Sequence, residues 1–269
     1  MPTHCSPASQ SAKAPAERIR QVAGADPYVR LRLDDAAVGE VLIDSSGHAG
    51  CAVAWTTVRP SGQRWAVGCG EEASAIALLL ERLHGHERVD GVTVPADAFG
   101  ALPGHLTSPD PGHWSLWELD RLTSPEPGSA VTLDPSDPRI RELLTYSPSA
   151  HVFPGDRQAH WAGVEEDGSL LSVAAEVREP NGYAHVVSVC THPAVRGRRL
   201  AGAAIGHLVQ RARSTGCTGV MLEMYAANEP GRQAYRRIGF REVGQYRSGL
   251  IDRTLPNGPL PTRPLPSSG

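Results

Sequence analysis

Arg196, Arg198 and Arg199 stand together at the start of an amphipathic segment, with Gly197 among them and Gly202 just beyond. The macrodipole of a helix disfavours cations at its N-terminus, by about 0.3–1 kcal/mol each. Three arginines there make sense if an anion normally sits on the free amides of the first turn, as phosphates do. About thirty residues on, a strand-like run ends near Asn228, and the helix after it carries Tyr235 and stops at Gly239-Phe240. A phenol held beside that phosphate can supply a proton to a leaving group. Together the two features suggest an enzyme that uses a phosphate-bearing acyl carrier. Taken singly, a solvated basic loop and an amphipathic core tyrosine are the plainer alternatives.

Few other residues form a constellation. Cys5, Cys51, Cys69, Cys190 and Cys217 are scattered, odd in number and without a CxxC pair. Neither a disulfide framework nor a zinc site follows from them, and a reducing cytoplasm suits them. Cys190 as a covalent nucleophile would want a His–Asp pair, and none is evident. His84 and His86 lack further ligands at metal spacing, so no metal is expected. Glu165-Glu166-Asp167 reads as a solvated turn. Trp114 and Trp117 read as anchors of a crossover, or as lining of an acceptor pocket.

Composition narrows the partners. A net charge of −3 over 269 residues leaves no basic footprint for nucleic acid. Apolar content of 40% with 20% charged residues is that of a globular protein. No apolar run approaches the ~18 residues of a membrane span, and the N-terminus lacks the apolar core of a signal peptide. The expectation is a soluble cytoplasmic protein that binds neither nucleic acid nor membrane.

The elements that must position these groups fall into two halves between two tails. Residues 1–25, rich in Ala, Pro, Ser and Gln, read as disordered, and the Pro-rich segment 254–269 as irregular. In the first half, 26–128, Val29 to Leu33, Val41 to Ile43 and Cys51 to Trp55 read as strands. Glu71 to Leu83 reads as a helix with apolar residues at threes and fours, and Val92 to Val94 ends the pattern. Pro95 to Pro127 reads as a crossover. In the second half, 129–253, Pro135-Ser136-Asp137-Pro138 caps a helix that runs to about Tyr146, with Ser136 or Asp137 satisfying the free amides and proline in the first turn. Hairpin strands at 160–164 and 170–177 turn at Glu165–Gly168, and a third strand spans Tyr183 to Thr191. A helix at 199–215, a strand at 219–225, a helix at 229–238 and a strand at 240–251 complete an α+β pattern.

Here the chain resembles the GNAT N-acetyltransferase superfamily over residues 129–251. The family's pyrophosphate motif, Q/R-x-x-G-x-G/A, follows an apolar-x-apolar pair and a proline. Val189 and Thr191 match the pair, Pro193 the proline, Arg196 the first position and Ala201 the last. Arg199 replaces the middle glycine. If that position needs a positive φ, its Cβ costs roughly 1–2 kcal/mol; if the helix has already begun, Arg is tolerated. The second signature, N-x-x-A-x-x-x-Y-x-x-x-G-F, is met by Asn228, Tyr235, Gly239 and Phe240, with Gly231 in place of alanine.

The resemblance implies a mixed, mostly antiparallel sheet flanked by helices, with acetyl-CoA as cosubstrate and no metal. It implies that Val189, Cys190 and Thr191 pair with the pantetheine arm, and that Arg196, Gly197, Arg198, Arg199, Leu200, Ala201 and Gly202 hold the diphosphate. Asn228 sits where the strands part, or caps its helix, or both. Tyr235 corresponds to the residue that protonates the departing thiolate. Family members often place a carboxylate as base eleven residues ahead of the motif's first position. Here that position is His185, whose imidazole could serve directly or through water, with Glu176 and Glu223 as rivals. The first half, which carries neither signature, reads as a degenerate second lobe of the same fold. The implied activity is direct acetyl transfer to a small-molecule amine or a protein amino group, by a monomer or homodimer. A CoA-binding sensor without turnover is the alternative.

Overall fold

The computed structural model describes residues 13–44, 51–59, 61–119, 130–156 and 158–251. The expected tail 254–269, residues 1–12 of the expected tail 1–25, Cys5 and the 128/129 boundary lie outside them.

Among the described residues, eleven strands form one sheet. In chain order they are β1 (Val38–Asp44), β2 (Ala52–Val58), β3 (Arg64–Gly70), β4 (Gly91–Pro95), β5 (Gly112–Leu119) and β6 (Ala130–Leu133), then β7 (His160–Glu166), β8 (Ser169–Arg178), β9 (Ala184–Thr191), β10 (Val220–Tyr225) and β11 (Phe240–Leu250). Their order across the sheet is β1-β2-β3-β4-β11-β5-β10-β9-β8-β7-β6. Only β3–β4 and β9–β10 run parallel, each joined by a helical crossover, α3 (Ala73–His86) and α5 (Leu200–Ser214). The two ends of the sheet therefore repeat one topology.

At the centre the halves exchange strands. β5, from the first half, pairs with β10 and β11, while β11, from the second, pairs with β4. A single hydrogen-bonded surface thus crosses the boundary that composition marks near residue 128.

The strands' side-chain period of two assigns the helices to faces. In β2, Ala52 and Ala54 face α3, whereas Val53 and Trp55 face α1 (Pro15–Ala23) and α2 (Pro27–Arg32). In the second half, Ala162, Ala174 and Ala184 keep the sheet low under Ile205, Leu208 and Val209 of α5. Burial of each of those three larger side chains is worth about 1.5–3 kcal/mol. The other face carries α4 (Pro138–Leu144), packed on Trp161, Val173 and Val187. α6 (Glu229–Ile238) shares the α5 face.

Several expectations change. Residues 15–23, expected within a disordered tail, are helix α1: Ala16, Ile19 and Ala23 are buried at helical spacing and Pro15 opens its first turn. Val29 to Leu33, expected as a strand, lies mostly in helix α2, because Asp26 caps it, accepting from the amides of Tyr28 at 2.8 Å and Val29 at 3.4 Å, and Pro27 presets its first turn. The crossover expected at 95–127 contains β5, a central strand, and β3 and β6 lie outside the expected elements. By contrast, α4 starts at its Asp137 cap, and every later element falls within a few residues of its expected place. Among the described residues no helix is long and apolar enough to cross a membrane.

Candidate active site

β9 and β10 pair for three positions, Ala184–Val220, His185–Met221 and Val186–Leu222, and then part. A bulge in β9 sits at the parting. The register slips by one residue between Val187 and Cys190, and Ser188 holds φ 50°. Its hydroxyl pins the α4–β7 loop, donating to the Val152 carbonyl at 2.9 Å and accepting from the Val152 amide at 3.1 Å. Beyond Val186, β9 has no strand partner on its β10 side among the described residues. An extended chain with amides of its own could pair there.

The gap leads to the arginine turn. Arg196 donates from Nε to the Thr191 carbonyl at 3.3 Å, which folds the turn back onto β9. Gly197 (φ 85°) and Arg199 (φ 64°) both occupy the left-handed region. The positive-φ alternative for Arg199 is thus the one that holds, and the chain carries a Cβ where the family motif has none. Arg199 is the N-cap of α5 and makes no side-chain cap bond. Its guanidinium has no partner among the described residues. Arg198 forms an exposed ion pair with Glu166, worth at most about 1 kcal/mol and easily exchanged for an anion. An uncapped helix start under unpaired arginine fits a diphosphate. A Cβ on Gly202 would meet only Ile238 of α6, at 3.7 Å, and the Gly202 amide donates to the Arg199 carbonyl at 3.0 Å.

Asn228 caps α6, accepting from the Gly231 amide at 3.0 Å. A Cβ on Gly231 would lie 2.6 Å from the Asn228 Nδ2, which explains the glycine where the family has alanine. On α6, Tyr235 lies edge-on to Phe240 with ring centroids 6.1 Å apart. Burial pushes its phenol up to about 12. It therefore stays protonated across the neutral range, a weaker acid than an ordinary tyrosine. Its hydroxyl has no partner among the described residues.

His185 lies on the opposite face from α5, one residue before the strands part, and is 5% exposed. Its Nδ1 sits 2.8 Å from Glu179 Oε1. Burial alone would raise the Glu179 carboxyl, but His185 and the Arg32 guanidinium hold it down at about 2. Arg32 Nη1 reaches that same oxygen at 2.7 Å, and its Nε lies 2.9 Å from Glu223 Oε1. Sequence reasoning singled out His185 and Glu223 but missed Glu179 and Arg32. The turn Glu179-Pro180-Asn181-Gly182 could have shown Glu179, since it returns the chain to β9 and bonds the Glu179 amide to the Tyr183 carbonyl at 2.9 Å. Nothing local marks Arg32.

The remaining candidates separate cleanly. Glu176 is 1% exposed and held by Arg211 at 3.1–3.2 Å, away from the gap. Cys190 is buried against α4, its thiol donating to the Leu143 carbonyl at 3.2 Å, and burial raises its pKa. Neither state suits a nucleophile. Trp117 lies under Arg232 and Arg236, and Trp114 stacks on Tyr246; both anchor β5. His86 pairs with Glu40 at 2.8 Å. Among the described residues no cluster of three or more His, Cys, Asp or Glu could hold a metal ion.

The first half repeats the parting of strands. β3 and β4 pair from Trp65–Gly91 to Val67–Thr93 and then separate beside a cavity of about 600 Å³. The turn into α3 there carries Glu71 and Glu72 in place of arginines. A diphosphate would be repelled.

Residues 116–240 match the acetyltransferase (GNAT) family, a stretch that begins inside β5. A GCN5-related N-acetyltransferase from Sphaerobacter thermophilus shares the fold at 17% identity and a TM-score of 0.53, over 88% of this chain and 92% of that one. Two further solved structures are a putative GNAT-family acetyltransferase from Novosphingobium aromaticivorans (21% identity, TM-score 0.49, 72% of this chain and 86% of that one) and a GCN5-related N-acetyltransferase from Kribbella flavida (18%, 0.49, 92% and 98%). No curated protein matches the chain.

Proposed function

Residues 116–240 are a GNAT acetyltransferase domain, and on that footing we propose that the chain is an acetyl-CoA-dependent N-acetyltransferase acting by direct transfer. The observation that carries this reading is the parting of β9 from β10 beside the uncapped, arginine-lined start of α5. Acetyl-CoA, when bound, supplies a thioester. The free β9 edge through Val189, Cys190 and Thr191 would hold its amide-bearing arm. The amides of Leu200 and Ala201, with Arg196, Arg198 and Arg199, would hold its diphosphate. His185 takes a proton from the acceptor ammonium. The neutral amine then attacks the thioester carbon, the C–N bond forms, the C–S bond breaks, and Tyr235 gives its proton to the departing sulfur; the nitrogen's surplus proton passes through water to restore Tyr235. The acceptor in this reading is a small amine or a protein amino group.

The first half fits a degenerate copy of the same fold. It repeats the crossover and the parting strands, but the acids at its cradle leave one coenzyme site per chain. Calorimetry with acetyl-CoA, followed by an amine panel scored for free CoA, tests the whole reading. Tyr235→Phe is expected to keep coenzyme affinity and to lower turnover by roughly 10²–10⁴-fold. A binding-only sensor has no turnover to lose, and absence of heat with millimolar acetyl-CoA would overturn both.

A further inference from the structure

Arg32 belongs to α2, near the start of the chain, yet its guanidinium is committed to the second half, to Glu179 and Glu223. Glu179 accepts from Arg32 and meets His185 through a single oxygen, Oε1. An ionised carboxylate only accepts, so the contact makes Nδ1 the protonated ring nitrogen and leaves the lone pair on Nε2. Nε2 has no protein partner among the described residues. The one side-chain polar atom among them that is both sealed and unpartnered is Trp161 Nε1. Nε2 is thus not among the sealed, unpartnered atoms of the described residues, on a residue otherwise buried.

We propose that Glu179 and Arg32 are positioning residues for His185: Glu179 selects the tautomer with Nε2 bare, and Arg32, reaching across from α2, clamps Glu179. This rests on the reading of His185 as the base. The clamp has a physical reason. A carboxyl buried as Glu179 is would tend to hold its proton, and a protonated carboxyl no longer dictates the tautomer; the His185 contact and the Arg32 guanidinium together keep it ionised. Other charged or titratable groups act on this patch. Glu223 of β10 shares Arg32, Tyr28 of α2 feels the charges of Arg32 and Glu223, and Arg59 lies over Trp65 at 3.5 Å within reach of the same two. The two carboxylates and two guanidiniums balance, so His185 can accept the ammonium proton on Nε2, become imidazolium with Nδ1–H still on Glu179, and release that proton to water. Helix α2 is then part of the active site, although its sequence lies outside the matched family segment.

The test uses the full chain and the variants Glu179→Gln, Glu179→Asp, Arg32→Met and His185→Gln. Readouts are kcat with the best amine of the panel, acetyl-CoA affinity by calorimetry, and the tautomer of His185 from its ring ¹⁵N shifts. Glu179→Gln is expected to lower kcat at least about tenfold with coenzyme affinity unchanged. It should also move the ring away from the Nδ1–H form, because an amide can donate to Nδ1. Glu179→Asp should restore part of both, and Arg32→Met should follow Glu179→Gln. If His185→Gln abolishes turnover while Glu179→Gln leaves kcat and the ¹⁵N pattern as in the wild type, the positioning inference is wrong and the base stands. If His185→Gln retains turnover, the base assignment itself fails. The ¹⁵N pattern needs no substrate, so an unchanged tautomer in Glu179→Gln overturns the inference even without a known amine.

Discussion

Replacing Arg199 separates two properties that the native residue combines. Its backbone sits at φ 64°, ψ 18°, at the mouth of α5, where the family motif has glycine. A Cβ in the left-handed region costs roughly 1–2 kcal/mol. Arg199→Ala keeps that Cβ and removes the guanidinium, whereas Arg199→Gly removes both. Glycine loosens the unfolded chain, which returns about 0.4–1 kcal/mol of the advantage. The glycine variant should therefore be the more stable of the two by about 1 kcal/mol, or roughly 2–4 °C in melting temperature for a chain of this size. Thermal unfolding of both variants without ligand measures the difference. The guanidinium is missing from both, so coenzyme affinity should fall equally, by roughly tenfold or more if one charge-assisted phosphate contact is lost. Should Arg199→Gly melt at or below Arg199→Ala, the strain argument is refuted. Should either variant bind coenzyme like the wild type, Arg199 is no phosphate ligand.

Three further outcomes follow from individual contacts. Glu179 is held at about 2, below the ordinary carboxylate range, so it stabilises the fold fully above about pH 4.5 and loses that contribution as pH falls toward 2; urea midpoints at pH 7 and pH 3 should converge for Glu179→Gln relative to wild type, by on the order of 2–3 kcal/mol. Arg211→Met strips the partner from the buried Glu176 carboxylate and should cost about 3 kcal/mol in a denaturant titration, more than the double variant with Glu176→Gln. Gly231→Ala places a Cβ 2.6 Å from Asn228 Nδ2 and should displace that cap, lowering stability by about 1 kcal/mol although alanine is the family's residue there; an unchanged melting curve would show that Asn228 yields freely.

The amino-acid sequence by itself determined the local devices. Asp137 before Pro138, the glycine-bearing turn at Gly168 and the periodic apolar face of α5 each act within a few residues of themselves, so their elements appear where the pattern puts them. The arginine turn and the Asn228–Tyr235–Gly239 spacing were legible for the same reason, and they carry most of the candidate site. Tertiary structure alone decided the rest. Val29 to Leu33 alternates like a strand, but the cap at Asp26 and the packing of Leu31 against Met221 and Tyr246 make the segment a helix. β5, mixed in character and set among glycines and prolines, becomes a strand because β10 and β11 offer it hydrogen bonds on both edges. Those partners lie about a hundred residues away in the chain. Arg32 and Glu179 stand 147 residues apart. No short-range pattern can announce a guanidinium that meets its carboxylate only after the halves have exchanged strands, since the free energy of that contact exists only in the folded sheet.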